Sequence, residues 1–577
     1  MTTVLDTIQR LLPVGTFLPD TELEPCAVRW QDPPLWPPDV FAVAATLVNV
    51  SGCYSHASVT RGDWCLPGVP DAFAVRAREL GTIWSNAPVD DAGAFERLRR
   101  RLKDLWSELL AAGHHSVVVR LGGQLPRWCA AALELLAIAD EASDGMGFDY
   151  GSKLSALLEA KRFGDQRSSS RRTATLCELV PPEECCVQPR ARTPQVGCTL
   201  RSLSHHLALL PPMGEVTTRY LNRPDAPDGD RLNLLLVPFP YAVDDGVFTE
   251  SSRHAEEGWG TFSVVPSWLD GITAEDLGAF LLGLVAQSNA RLQAAGRGEL
   301  HGIVLPELAL TDAFATRIAA TIARQTSLEL FISGVRVPPA QEGGLVRNTV
   351  YSFLSLGREK KPMSWEQAKH HRWRLDPSQL RSYGSTLDHD VRSWWENIDV
   401  ANREVVVFAF RKGATLTTLV CEDLARIDPV QHVVRAVGPN LLVALLMDGP
   451  QRKDRWPARY AAVLADDPGT SVLTFTCLAT VERSDRSYAA ATKTPLAPRR
   501  AVGLWKDEQR MVCLEIDPTH HALLLSLSLE EVEEWTMDRR SDGGATIAVR
   551  YVAHEELRAD TPLVAARSAP PPLEGPN

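Results

Sequence analysis

Apolar positions in the first 150 residues recur at helical spacing. In the segment 90–113 they fall every three or four residues, from Phe95 to Leu109, and a glycine ends the run. Two prolines and an aspartate precede the apolar run that begins at Val40, which is typical of a helix start. The segment 127–140 is a further helix candidate. These patterns predict a mainly helical region.

From about residue 180, short apolar runs alternate with helical segments. Residues 231–243 are mostly apolar and predict a buried strand, whereas residues 273–296 predict a helix capped by Thr273. Later strand candidates include 471–481, and several strands follow one another without a helix between them. This alternation predicts an α/β fold with mixed sheets that extends to residue 558.

The same patterns divide the chain into four parts. Residues 1–160 are predicted to form a mainly helical accessory domain, 161–228 a linker and packing segment, and 229–558 the α/β domain. Residues 559–577 are rich in proline and are predicted to be disordered.

Within residues 161–228, one stretch is polar and basic, whereas another is rich in leucine. Lys161–Arg172 holds five basic residues, one acidic residue and three consecutive serines. This composition is typical of an exposed linker, and contact with RNA or DNA is the alternative. The leucines between Arg192 and Pro212 need burial, so we expect that stretch to pack on the α/β domain.

Composition narrows the class of protein. The chain has 577 residues, with 60 Lys and Arg against 72 Asp and Glu, and its net charge of -12 is unlike that of a dedicated nucleic-acid binder. No apolar run approaches the ~18 residues of a membrane span, and residues 1–10 lack the pattern of a signal peptide. The 11 cysteines are spread along the chain and do not make a small disulfide framework. We expect a soluble, cytoplasmic protein with reduced thiols.

Common cofactor and metal motifs are absent from the sequence. There is no Gly-x-x-x-x-Gly-Lys phosphate loop, no Gly-x-Ser-x-Gly elbow and no Cys-x-x-Cys pair. Adjacent histidine pairs such as His205-His206 lack the spacing that presents two ligands on one helix face. We therefore expect no cofactor and no metal, and we interpret these histidines as structural or surface residues.

Three residues with suitable chemistry lie at or near strand ends. Glu307 ends an apolar strand, Lys369 lies in a polar region between strands, and Cys421 directly follows an apolar strand. A thiol that attacks a carbonyl or nitrile carbon needs a base, which a carboxylate in an apolar pocket supplies. The oxyanion needs a cation and a backbone N–H, which Lys369 and Glu422 would supply. A neighbouring cation also favours the thiolate of Cys421.

These residues and their local motifs resemble the nitrilase superfamily of carbon–nitrogen hydrolases. The Pro-Glu that ends a strand and the Cys-Glu-Asp-Leu that follows one carry the resemblance. Residues 441–450 and 454–467 are similar to the family's next strand and its arginine-bearing helix. The resemblance implies a Glu-Lys-Cys triad of Glu307, Lys369 and Cys421, a covalent acyl-thioester, a four-layer αββα sandwich and subunits that commonly form oligomers.

Several assignments stay open at this point. Lys360 and Lys361 fit the spacing, and we prefer Lys369 because it lies where the family places its lysine. In the family, a second acidic residue shortly after the lysine often helps to position it, and Asp376 is the nearest candidate after Lys369. Where family members carry Pro-Glu after the nucleophile, this chain has Ile427-Asp428-Pro429, and Asp428 would stand in for the glutamate.

The sequence thus predicts a thiol-dependent hydrolase of a non-peptide C–N bond in a small amide or nitrile, with a homo-oligomer expected. The alternative is a catalytically silent nitrilase-like scaffold that binds a protein partner through its N-terminal domain. Residues 421–450 also resemble nitrilase-like domains attached to some bacterial reverse transcriptases linked to phage defence. No Tyr-x-Asp-Asp polymerase motif occurs, so this chain would be a relative or a partner of such systems.

Overall fold

The computed structural model describes a mixed α/β protein. The described residues are 2–13, 30–56, 59–60, 63–64, 73–86, 92–119, 126–146, 175–193, 200–212, 216–221, 227, 229–354, 363–383, 385–411, 413–534, 536, 538, 540, 544–561 and 563. The predicted linker Lys161–Arg172 and nearly all of the predicted disordered tail lie outside these residues. Within the described part, no helix is long and apolar enough to cross a bilayer.

Helices dominate the described chain before residue 146 and alternate with strands after residue 274. In chain order they are α1 (Val4–Leu11), α2 (Pro37–Ser51), α3 (Phe73–Asn86), α4 (Ala92–Ala111), α5 (Arg127–Glu141), α6 (Ala274–Ala294), α7 (Asp312–Gln325), α8 (Pro377–Ser382), α9 (His432–Val437), α10 (Trp456–Asp466) and α11 (Leu478–Thr492).

Most of the described strands lie after residue 230. In chain order they are β1 (Val59–Thr60), β2 (Asp63–Trp64), β3 (Cys186–Pro189), β4 (Leu207–Leu210), β5 (Thr217–Leu221), β6 (Arg231–Leu236), β7 (Phe248–His254), β8 (Trp259–Val264), β9 (Gly302–Thr311), β10 (Leu330–Val337), β11 (Arg347–Leu354), β12 (Met363–Ala368), β13 (Arg374–Leu375), β14 (Ser393–Glu396), β15 (Glu404–Arg411), β16 (Ala414–Val420), β17 (Leu441–Leu446), β18 (Ser471–Thr476), β19 (Arg500–Lys506), β20 (Met511–Ile516), β21 (Ala522–Glu534) and β22 (Gly544–Leu557).

Two sheets of seven described strands each carry the candidate residues. Sheet A has the order β12-β11-β10-β9-β6-β21-β22, and sheet B has the order β20-β19-β18-β17-β16-β15-β5. Both sheets are mixed: β6, β9 and β10 run parallel in sheet A, as do β16, β17 and β18 in sheet B. A smaller sheet C, with the order β13-β14-β8-β7, has no counterpart among the strands predicted from the sequence.

Apolar side chains from both large sheets meet in one core cluster. Leu234 and Ile332 of sheet A share it with Phe408 and Val443 of sheet B, all of them buried. The opposite face of sheet A packs against α6 and α7, and the opposite face of sheet B packs against α9 and α10. Each fully buried aliphatic or aromatic side chain contributes about 1.5–3 kcal/mol to folding. The facing sheets therefore form the rigid frame on which the site is built.

Local sequence features explain where some elements begin and end. Thr273 caps α6, because its Oγ1 accepts the Asp276 N–H at 3.1 Å while Asp276 accepts the Thr273 N–H at 3.1 Å. The helix predicted from 273 is therefore confirmed. The strand predicted over 471–481 was too long: β18 ends at Thr476 and α11 begins at Leu478.

The N-terminal helices share one apolar core with part of the segment 175–210. Phe41, Trp106 and Leu135 belong to this cluster, and so do Leu203 and Leu207. The leucines of the stretch 192–212 are thus packed inward, but most of them pack on the N-terminal core, and only Leu210 lies in the cluster on the outer face of sheet B.

Arg540 provides the main polar link between α5 and the connection from β21 to β22. Its Nη1 donates to Asp140 Oδ2 and Glu141 Oε1, both at 2.9 Å, and its Nε donates to Asp538 Oδ2 at 2.5 Å. The Arg540 side chain is fully buried. These carboxylates satisfy a guanidinium that would otherwise be costly to bury.

Candidate active site

Glu307 lies in an irregular part of β9, in the middle of sheet A. Leu305 pairs with Ser333 of β10, but the next pair along the strands is Leu310 with Val335. Strand β9 therefore bulges between these pairs, and Glu307 is in the bulge. Bulges commonly redirect a side chain next to a functional site.

Gly334 makes room for this bulge. A Cβ at Gly334 would lie 2.4 Å from Glu307 Cα and 2.4 Å from Pro306 O, so no side chain fits there. Leu308 has a φ of 55°, a left-handed conformation that is strained for leucine. The chain thus tolerates backbone strain directly beside the candidate base.

Cys421 directly follows β16, as the sequence predicts, and begins the short helical turn Cys421–Ala425. Its φ is 45°, again in the left-handed region, and the residue is 3% exposed. Strained non-glycine residues of this kind cluster at functional sites. Glu422 is the next residue in the turn, so its backbone N–H lies immediately after the thiol-bearing residue.

Lys369 joins two buried carboxylates. Its Nζ lies 2.9 Å from Glu307 Oε1 and 2.7 Å from Glu396 Oε2, and the lysine side chain is 0% exposed. Asn348 Nδ2 donates to the same two residues, at 2.8 Å to Glu307 Oε1 and 2.9 Å to Glu396 Oε1. The Trp373 N–H completes the set at 3.1 Å from Glu396 Oε2. Residues from five strands or strand ends therefore meet in one hydrogen-bonded cluster.

One acceptor and one donor of the cluster have no hydrogen-bond partner within it. Glu307 Oε2 is buried and has no hydrogen-bond partner among the described residues. An ammonium has three N–H donors, and two of those of Lys369 are used. The cluster thus keeps one carboxylate oxygen that can take a proton and one cationic N–H that can bind an oxyanion.

The charges of the cluster shift the pKa values of its members. Burial raises the pKa of Glu307, Lys369 opposes this, and Glu396 adds to it. Burial alone would lower the pKa of Lys369, but Glu307 and Glu396 outweigh burial and raise it well above its ordinary value. The lysine therefore stays protonated, whereas the glutamate ionises at a higher pH than an ordinary glutamate.

The thiol is protonated at rest. Burial and then the Glu307 charge raise the pKa of Cys421 well above its ordinary value, although Lys369 acts in the opposite direction. Lys369 does favour the thiolate, as expected of a neighbouring cation, but burial and the Glu307 charge outweigh it. A thiol in this environment needs a base before it can act as a nucleophile.

Asp423 connects the turn Cys421–Ala425 to the residues that directly follow Lys369. Its buried carboxylate accepts the backbone N–H of His370 at 3.0 Å and of His371 at 3.1 Å, and the His371 ring at 3.0 Å. Lys369 itself donates its backbone N–H to Asn348 O at 2.7 Å. The backbone on both sides of the lysine is thus fixed.

A hydrogen-bonded group of Tyr383, Asp448 and Arg455 lies beside Cys421. Asp448 follows β17, which runs parallel to β16 with Leu445 opposite Val420. Its carboxylate accepts the Tyr383 hydroxyl at 2.8 Å and Arg455 Nη2 at 2.8 Å. The Asp448 and Tyr383 side chains therefore lie at the same edge of sheet B as Cys421.

Other positions proposed from the sequence have other roles. Asp376 is not the acidic partner of Lys369: its carboxylate caps α8 by accepting the N–H groups of Ser378 and Gln379 at 2.8 and 2.9 Å. Asp428 does not stand in for the family glutamate either, because its side chain is 80% exposed. Lys360 and Lys361 lie outside the described residues.

Glu396 is the partner that the sequence interpretation missed. It follows Trp394 by two positions on β14, so both side chains point to the buried face. β14 is four residues long, too short for an alternating pattern to indicate this orientation in the sequence. Asn348, a polar residue in a strand that is otherwise buried, was also missed.

One group in the described residues has the spacing of metal ligands. Ligand atoms of Asp140, Glu141 and His206 lie within 4.8 Å of one another. However, Arg540 Nη1 lies 2.9 Å from both carboxylates, so a guanidinium already compensates their charge. This group is better explained as part of the buried polar link.

Comparisons with known proteins give no close relative. No family model matches the sequence, and no curated protein sequence matches it. Three solved structures illustrate the similarity that exists at the level of structure. One is glutamine-dependent NAD+ synthetase from Acinetobacter baumannii, with 10% identity and a TM-score of 0.28, covering 52% of this chain and 46% of the synthetase.

The other two are members of the carbon–nitrogen hydrolase and nitrilase superfamilies. XC1258 from Xanthomonas campestris, a CN-hydrolase superfamily protein, has 14% identity and a TM-score of 0.25, covering 57% of this chain and 92% of XC1258. Saccharomyces cerevisiae Nit3 has 10% identity and a TM-score of 0.25, covering 60% and 96%. The chain spans less than half of the synthetase. All three TM-scores lie below 0.5, so the function proposed below rests on the side chains of this chain.

Proposed function

We propose that this protein is a thiol-dependent hydrolase of a non-peptide C–N bond in a small amide or nitrile. The observation that carries the proposal is the wholly buried Lys369, held 2.9 Å from Glu307 and 2.7 Å from Glu396. Burying three charges is costly, and a chain retains such a cluster where it serves chemistry or conformational specificity. The backbone of Cys421 is strained, and its thiol is subject to the charges of Glu307 and Lys369.

In the proposed mechanism, Glu307 first accepts the Cys421 thiol proton. The thiolate attacks the amide carbonyl carbon, and the oxyanion is stabilised by the remaining Lys369 N–H and the Glu422 backbone N–H. The protonated Glu307 gives its proton to the leaving nitrogen as the C–N bond breaks, which leaves an acyl-thioester. Glu307 then takes a proton from water, and the hydroxide attacks the thioester carbon. The C–S bond breaks with release of the acid, and Glu307 returns its proton to the departing thiolate, which regenerates the thiol. A nitrile would pass through a thioimidate and consume two waters.

The finer architecture is part of the same proposal. Sheets A and B with their helices would form the four-layer αββα sandwich of a 229–558 hydrolase domain, and the residues before 160 an accessory domain. The three core clusters of the two sheets support this arrangement. A homo-oligomer, a protein partner of the N-terminal helices and a link to reverse-transcriptase defence systems stay predictions.

Turnover tests the proposal directly. We expect the purified chain to release ammonia from at least one member of a panel of primary amides and nitriles. Cys421→Ala should lower that rate by roughly 10³-fold or more, because the nucleophile is lost. Cys513→Ala is the matched control, since Cys513 is a free thiol on β20, outside the cluster.

Two results would contradict the proposal. A Cys421→Ala variant that retains the wild-type rate would show that another group performs the chemistry. A wild-type chain that releases no ammonia, and whose Cys421 reacts no faster than Cys513 with an alkylating agent, would favour the catalytically silent scaffold.

A further inference from the structure

Asn348 occupies a central position between the charged groups of the candidate site. It lies on β11 and is 1% exposed. Both N–H bonds of its carboxamide are used, one to Glu307 Oε1 at 2.8 Å and one to Glu396 Oε1 at 2.9 Å. Its backbone oxygen accepts the Lys369 N–H at 2.7 Å. The reverse orientation of the carboxamide would point its oxygen at two carboxylates, so the donor role is fixed by charge.

We propose that Asn348 is a positioning residue of the reaction, which spaces the two glutamates so that Glu307 Oε2 stays free for the Cys421 proton and one Lys369 N–H stays free for the oxyanion. This inference rests on the hydrolase function proposed above. It assigns a role to a residue outside the Glu-Lys-Cys triad.

The accounting of donors and acceptors supports this role. Lys369 and Asn348 together occupy Glu307 Oε1, while Glu396 receives Asn348 on one oxygen and Lys369 with the Trp373 N–H on the other. Without the carboxamide, one oxygen of Glu396 would lose its donor among the described residues. The third Lys369 N–H would then be drawn to it, away from the oxyanion position.

The charges of the cluster also support the positioning role of Asn348. The cluster buries two carboxylates with one ammonium, so repulsion between the carboxylates favours protonation of one of them. The Asn348 hydrogen bond acts against burial and lowers the pKa of Glu307. Asn348 therefore helps keep the base ionised without adding a charge to the site.

The test is the pH dependence of Cys421 alkylation. Iodoacetamide labelling of the full chain is followed between pH 5 and pH 9 by mass analysis of the peptide that contains Cys421. In Asn348→Ser, whose short hydroxyl cannot bridge both glutamates, the midpoint of the rate profile should move to higher pH by about one unit, which is roughly tenfold slower labelling below both midpoints. If the serine variant fails to fold, Asn348→Thr carries the same expectation and suits a strand.

Asn233→Ser is the matched control. Asn233 is equally buried, and its Nδ2 donates to Arg297 O at 3.0 Å and Glu299 O at 2.8 Å, away from the cluster. It should lose stability and keep the wild-type midpoint. An unchanged midpoint in Asn348→Ser would overturn the role of Asn348 alone, whereas a wild-type Cys421 that labels no faster than Cys513 would overturn the hydrolase function itself.

Discussion

Replacing Lys369 with methionine is expected to abolish turnover and to destabilise the fold by about 3–5 kcal/mol at neutral pH. The substitution removes the only ammonium in contact with Glu307 and Glu396 in the described part of the chain. Two buried carboxylates then face each other with only Asn348 between them. The oxyanion also loses its cation, which costs roughly 10²–10³ in rate on its own.

The loss of stability should depend on pH. In the wild type the pKa of Glu307 is already raised by burial, and loss of Lys369 raises it further. A group whose pKa is raised in the folded state contributes stability at low pH and loses it as pH rises through that pKa. The deficit of Lys369→Met should therefore be small at pH 5 and large at pH 8.

Urea unfolding of both proteins at the two pH values measures this difference. Lys103→Met is the control, because Lys103 is mostly exposed and pairs with the equally exposed Asp32 across 3.7 Å. It should cost under about 1 kcal/mol. A Lys369→Met chain that is as stable as the control, or whose deficit is the same at both pH values, would mean that Lys369 does not hold the two carboxylates together.

Arg540→Met should have the second large effect, a loss of about 3–5 kcal/mol. It leaves the buried Asp140 and Asp538 without the guanidinium that outweighs burial and keeps the pKa of both below its ordinary value. A lowered pKa gives stability that is present at neutral pH and lost as pH falls through it. The deficit should therefore shrink below about pH 4, where the carboxyls of the variant are protonated.

Tryptophan fluorescence during urea unfolding detects this loss, since Trp106 and Trp128 lie in the N-terminal core. The unfolding of that core should move to lower urea in Arg540→Met. Arg317→Met is the matched control: Arg317 is mostly exposed and pairs with the exposed Glu275 across 3.8 Å, so it should cost under about 1 kcal/mol. Equal effects of the two substitutions would contradict the linking role of Arg540.

Periodicity predicted the elements whose ends are determined locally. The α6 cap needs only Thr273 and Asp276, β9 begins as an apolar run before Glu307, and β16 is buried along its whole length up to Cys421. The boundary between β18 and α11 was missed because the apolar run continues through Cys477 and Leu478, although its period changes there. Sheet C was missed because β13 and β14 are two and four residues long, too short for a period to appear.

The candidate site was predictable only in part, for a related reason. A strand end indicated Cys421, whereas the expectation that Glu307 ends its strand was wrong, because β9 continues past its bulge to Thr311. The second carboxylate partner of Lys369 comes from another sheet, 27 residues further along the chain. The first acid after Lys369 in the sequence, Asp376, caps a helix instead. Which carboxylate reaches a lysine depends on tertiary packing, and sequence proximity does not report it.

The most direct test of the central claim is the alkylation rate of Cys421 in wild type and Glu307→Gln. The peptide that contains Cys421 is followed by mass spectrometry at neutral pH, with Cys513 in the same sample as an internal reference. If Glu307 is the base, it takes the thiol proton during the attack, so Glu307→Gln should slow Cys421 labelling by roughly 10²-fold or more. Loss of the Glu307 charge acts in the opposite direction, because that charge raises the thiol pKa, so slower labelling identifies general-base action. Wild-type Cys421 should also label faster than Cys513 despite being buried. Equal rates in wild type and Glu307→Gln would contradict the claim that this site activates a thiol.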